Sequence, residues 1–136
     1  MGYTHYFNAK PTIDVFNDAK ALIADSPVAL GDALGYGSPM VNAAGIKLNG
    51  SADEDKDHES FILSAGGSDD FCKTARKPYD IVVAAILISV IVHNAGVVAS
   101  DGNLDDSEWI DALNFYQSVC GELSDGQLTK LKRSIG

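Results

Sequence analysis

The stretch "DIVVAAILISVIVHNAGVVAS", residues 80–100, decides the fold. Read as a membrane span, it makes the chain an integral membrane protein; read as a core helix, it makes the centre of a globular domain. Its uninterrupted apolar part runs only from Ile81 to Ile88, followed by Ser89 and then Val90 to Val92. A span needs about 20 predominantly apolar residues, and His93 and Asn94 fall where it has to continue. A long buried core helix is therefore expected, ending at "SDGNLDD", residues 100–106.

Around that helix the chain has 136 residues, enough for one domain, 1–136, with a single core. Hydrophobic residues make 46% and charged residues 21%, which excludes wholesale disorder. The formal net charge of -9 excludes a general nucleic-acid surface, because phosphate contacts need broad cationic cover. A local cationic pocket for a small anion remains compatible with it. Two cysteines without a C-x-x-C pair, and an N-terminus without an apolar h-region, point to reduced thiols in the cytoplasm. The opening Met1–Gly2 does not complete a myristoylation motif, since residue 6 is Tyr.

Upstream, "GYTHYFN" (2–8) alternates as a strand does, and Pro11 opens a helix over "PTIDVFNDAKALIAD". Residues 26–45, rich in Gly and Pro, read as a loop with one helical turn. "GIKLNG" (45–50) and "ESFILSA" (59–65) read as two strands joined by the acidic "SADEDKDH", and "GGSDD" (66–70) as a break. Downstream, "SEWIDALNFYQSVC" (107–120) is amphipathic, and "SDGQLTKLKRSIG" (124–136) closes with a short helix. The order βα-ββ-ααα predicts an α+β fold: a small antiparallel sheet of about three strands packed with three to four helices.

Just before the apolar helix stands "FCKTARKPYD", residues 71–80, with Lys73, Arg76 and Lys77 within five residues. Cations are unfavourable at a helix N-terminus, whereas free N–H groups there make an anion site. The three cations are therefore candidates to grip a phosphate, with Thr74 adding a hydroxyl and Tyr79 a ring or phenol. The alternative is a solvated cationic turn pairing with the acidic loop.

Asp53, Asp55 and Asp57 occupy calcium-loop positions 1, 3 and 5, but His58 and Ser64 stand where the EF-hand needs Gly and Glu. No metal or cofactor is expected. His5 and His58 read as ligand or hydrogen-bond contacts, and His93 as a core histidine. Nucleophilic and phosphate-loop motifs are missing: there is no G-x-S-x-G, no P-loop and no G-x-G-x-x-G, and Cys72 reads as a buried thiol.

"GYTHYF", "IKLNG", "DHESFIL", "FCKTARKPYD" and "SDG" together resemble an uncharacterised family found in phages and bacteria, over roughly residues 2–102. In character the chain is similar to phage sponge proteins, which sequester the nucleotide second messengers of bacterial immune systems such as CBASS and Thoeris. That likeness implies a homo-oligomer, for which the apolar helix is the candidate interface. The expectation is a nucleotide-signal binding protein, acting without catalysis in the cytoplasm. Lys73, Arg76 and Lys77 take phosphate, Tyr3, His5, Tyr6 and Tyr79 stack or hydrogen-bond, and Asn49 and His58 form the rim, with Thr74 beside them. Two alternatives stay open: a small enzyme hydrolysing such a nucleotide with His58 and Glu59 or with His5, and an acidic nucleic-acid mimic that inhibits a host protein.

Overall fold

A computed structural model describes residues 3–136; Met1 and Gly2, and with them the N-terminal lipidation question, lie outside the described residues. The fold is α+β, with four helices and two small antiparallel sheets among the described residues.

Strand β1 (Thr4–Ala9) is the middle of a three-stranded sheet, with β6 (Ser68–Lys73) on one side and β7 (Gly96–Ser100) on the other. The strand period of two puts His5, Phe7 and Ala9 on the buried face with Cys72 and Val98, and leaves Tyr6 and Asn8 exposed. The second sheet is centred on β4 (Gly45–Gly50), which pairs antiparallel with β2 (Leu30–Gly31), β3 (Met40–Asn42) and β5 (Phe61–Ser64). The rings of Phe7 and Phe61, 5.3 Å apart, carry one core across both sheets.

Helix α1 (Ile13–Ala24) starts two residues later than Pro11 suggests, because Thr12 is the N-cap and accepts from the Val15 N–H. Helix α2 (Asp80–Val92) is apolar all round, and every residue from Val82 to Val92 is buried. Such a helix belongs inside a protein or a membrane. Its 13 residues reach about 20 Å, short of the roughly 30 Å bilayer core. No helix among the described residues is long and apolar enough to cross a membrane. Helix α1, α3 (Ser107–Cys120), α4 (Asp125–Ile135) and strand β7 cover α2. The helix is thus spent inside the protomer, and the expectation that it forms an interface between copies is corrected.

The expected length of α2 is corrected as well. Asn94 adopts the left-handed conformation (φ 56), Ala95 N–H donates to Val90 O (2.9 Å) and Asn94 N–H to Ile91 O (3.2 Å). These two bonds make the Schellman stop that Asn supports at the position after a helix. Val97 and Val98, which continue the apolar run in sequence, therefore belong to strand β7. Three further strands, β2, β3 and β6, lie where loops or a break were expected, each pairing with a neighbour already recognised.

Candidate functional site

The start of α2 explains the cations of residues 73–77. The helix carries its own acid, Asp80, in the first turn, so an external anion is not needed to offset its dipole. Before it the chain turns sharply: Thr74 and Ala75 both donate to Tyr3 O (3.0 and 3.2 Å), and Ala75 and Arg76 take left-handed backbone angles (φ 53 and 59). That turn lays the Arg76 guanidinium over the Tyr3 ring, 4.1 Å from its centroid, and against Glu108 (2.7 Å). Lys77 Nζ donates to Asp55 O (3.2 Å) and so ties the acidic loop down. Arg76 and Lys77 line one cavity with Asp80, Glu108 and Asp111, whereas Lys73 projects from the open face of the first sheet. The three cations do not converge on one cavity.

Beneath this turn lies a buried polar network. His5, fully buried, places Nδ1 2.7 Å from Ser100 Oγ and Nε2 2.6 Å from Asp80 Oδ1. Thr74 donates to the same Asp80 oxygen (2.6 Å), and Ser100 Oγ accepts from Trp109 Nε1–H (3.2 Å) and Gly102 N–H (3.0 Å). With both acceptor positions of Ser100 taken, its O–H donates to His5 Nδ1, and the ring proton sits on Nε2 facing Asp80. The grouping Ser100–His5–Asp80 shares its residue types with a hydrolytic triad. Here the serine oxygen is fully occupied, and the groups brace β1, β7, α2 and α3. Two buried polar atoms have no partner among the described residues: Asp80 Oδ2 and Tyr3 Oη. Burial, reinforced by the Asp80 charge, pushes the Tyr3 phenol above the usual tyrosine range.

Three more expected contact residues have internal duties. Asn49 is buried; its Oδ1 accepts from Gly50 N–H and His58 N–H, and its amide donates to His58 O and Ala33 O. It staples the acidic loop to β4. The Tyr79 phenol, also buried, donates to Glu59 O (2.6 Å), beside Cys72, whose thiol burial pushes up to about 12. Thr74 is committed to Asp80. His58 itself is exposed on the loop, away from His5 in the core. His93 joins a second cluster, where Asp18 Oδ2 accepts from His93 Nε2 (2.9 Å), Ser89 Oγ (2.7 Å) and the Tyr116 phenol (2.7 Å). That carboxylate ties α1 to α2 and α3.

The open face of the first sheet is different. Tyr6 and Phe71 are direct cross-strand partners, both about half exposed, with ring centroids 6.5 Å apart. Lys73 stands on the same face two residues on from Phe71, and it makes no ion pair among the described residues. Asn8 and Val97 extend the face, and Asp101 accepts from the Tyr6 phenol (3.2 Å). Shallow depressions of about 350 and 370 Å³ lie along the pair, one bounded by Asp69 and Asp70, the other by Lys73 and Asp101.

No family model, curated protein or solved structure matches this chain. Among the described residues no group of three or more His, Cys, Asp or Glu side chains is arranged to hold a metal ion. Of the residues expected from sequence, only Tyr6 and Lys73 share the open face. Phe71 was missed because residues 66–70 read as a break. Had β6 been recognised, alternation would have placed Phe71 and Lys73 on one face, beside Tyr6.

Proposed function

We propose that this chain is a non-catalytic binding protein that sequesters a nucleotide-derived anion, as phage sponge proteins do to blunt host defence. The observation that carries the reading is the exposed Tyr6–Phe71 pair with Lys73 on the same sheet face. Aromatic side chains on an open antiparallel sheet stack planar bases, and an unpaired lysine beside them takes a phosphate. Asp69, Asp70 and Asp101 around the pair limit the ligand's charge. One cation among three carboxylates limits the ligand to at most a single phosphate or phosphodiester, held at Lys73 with amine or hydroxyl donors turned to the acids, and disfavours a triphosphate. This moves the proposed phosphate contact from Arg76 and Lys77, already engaged, to Lys73.

The cytoplasm is the compartment proposed for this activity. A homo-oligomer is proposed with it, through the β7 edge, where β1 is the one paired strand among the described residues.

The test is calorimetric titration with cyclic dinucleotides, ADP-ribose derivatives and nucleoside monophosphates, followed by heat release and analysis of the ligand. Binding with recovery of intact ligand is expected. Tyr6→Ala or Phe71→Ala should weaken it by roughly five- to 150-fold, the range for losing one base stack, without unfolding the chain. Altered ligand would replace this reading by the enzymatic one; no binding across the panel would remove both.

A further inference from the structure

The cavity at the start of α2 holds a feature that neither the fold nor the sheet-face proposal uses. Asp80 is 3% exposed; its Oδ1 accepts from both His5 and Thr74, while its Oδ2 has no donor among the described residues. A buried carboxylate oxygen without a donor is costly, and it marks a place where a donor from outside belongs. Asp80 lines a cavity of about 180 Å³, together with Ile81, Arg76, Lys77, Glu108 and Asp111.

The charges there select the donor. Glu108 pairs with Arg76, and Lys77 directs its ammonium to the Asp55 carbonyl, so among the described residues neither cation donates to Asp80 or Asp111, and two cations against three carboxylates leave the lining net negative. The net negative lining favours a monocation, whose N–H groups can serve the two carboxylates that Arg76 and Lys77 do not reach. At about 30 Å³ per water-sized group, the space admits about six non-hydrogen atoms, and Ile81 gives it an apolar wall. We propose that this cavity binds a small primary ammonium compound, its N–H groups donated to Asp80 Oδ2 at the inner end and to Asp111 at the mouth. The site is separate from the Tyr6–Phe71 face, and its failure would leave that proposal untouched.

The chain supplies its own reporter. Trp109 is the single tryptophan, and its indole N–H is joined to Asp80 through Ser100 and His5. The experiment follows that one indole signal by nitrogen–proton NMR during titration with ethylamine, ethanolamine and, as a cation without N–H donors, tetramethylammonium. A saturable movement with the two primary amines and none with tetramethylammonium is expected. Asp80→Asn should weaken binding by roughly tenfold or more, and the exposed Asp111→Asn by roughly two- to fivefold. If Asp80→Asn does not fold, Asp111→Asn alone decides. Three results would overturn the proposal: no saturable movement with either amine, equal movement with tetramethylammonium, or variants that titrate like the unaltered chain. The first assigns Asp80 Oδ2 to ordinary water, and the second assigns the response to bulk charge.

Discussion

Replacing Asp18 with alanine removes the acceptor on which three helices meet. Its Oδ2 receives Ser89 from the inside of α2, His93 from the end of α2 and Tyr116 from α3. After the substitution the hydroxyls of Ser89 and Tyr116, 0% and 3% exposed, are left without that acceptor, whereas His93 is accessible enough to turn to water. A hydrogen bond to a charged group is worth about 1.5–3 kcal/mol, and two stranded buried donors make the expected loss about 3–5 kcal/mol. Unfolding entropy of about 2.1 cal/mol/K per residue gives the 136-residue chain about 0.29 kcal/mol/K, so the Tm should fall by about 10–17 °C. The assay is paired thermal and urea unfolding by circular dichroism. Asp14→Ala serves as control, since its exposed carboxylate lies 4.0 Å from His93 and should change stability by no more than about 0.5 kcal/mol. A loss below about 1 kcal/mol for Asp18→Ala, with an unchanged urea slope, would refute the picture of Asp18 as the clasp of the helical layer.

Other outcomes follow from the same structure. Gly102→Ala sets a methyl group against the Tyr3 phenol and should cost about 2–4 kcal/mol in urea unfolding, whereas Gly66→Ala, which meets nothing, should stay within about 0.5 kcal/mol. Arg76→Ala removes an ion pair whose arginine is more than half exposed and the contact of its guanidinium with the Tyr3 ring, and should lower stability by no more than about 2 kcal/mol; a larger loss would make the turn at residues 73–77 a structural anchor. Stability should fall as pH rises beyond about 9. Burial raises the Cys72 and Cys120 thiols to about 12 and the Tyr3, Tyr79 and Tyr116 phenols above their usual range. The folded state therefore holds protons that the unfolded chain releases from about pH 9 upward. A urea midpoint that stays level to about pH 11 would contradict this.

What was legible in the sequence was whatever a single element's own pattern determines. The apolar run from Ile81 to Val92 announced a buried helix because it has no polar face. The short closing helix over residues 124–136 is likewise local, and in the structure its start is held by a capping box of Ser124 and Gln127. Strand β6 was hidden because "SDDFCK" exposes four of its six residues, and only its pairing with β1 makes it a strand. Strand β7 was hidden by two valines that extend an apolar run across an Asn stop. The site suffered in the same way. Charge pointed to residues 73–77, but backbone direction parted Lys73 from Arg76 and Lys77, and brought Phe71 to Tyr6. His5, Asp80, Thr74 and Ser100, far apart in the chain, meet through the sheet register and the start of α2, which no spacing motif encodes.

The central position of β1 carries a consequence for biosynthesis. Among the described strands it is the first to be translated, yet its two neighbours end at Lys73 and Ser100. At roughly 5–20 residues per second, it waits roughly 5–20 s for the second of them to be translated. Until then Tyr3, His5 and Phe7 lack the strands and helices that bury them. A newborn chain therefore keeps these side chains uncovered until Ser100 has been translated, and shortening it before β7 leaves β1 unpaired on one side.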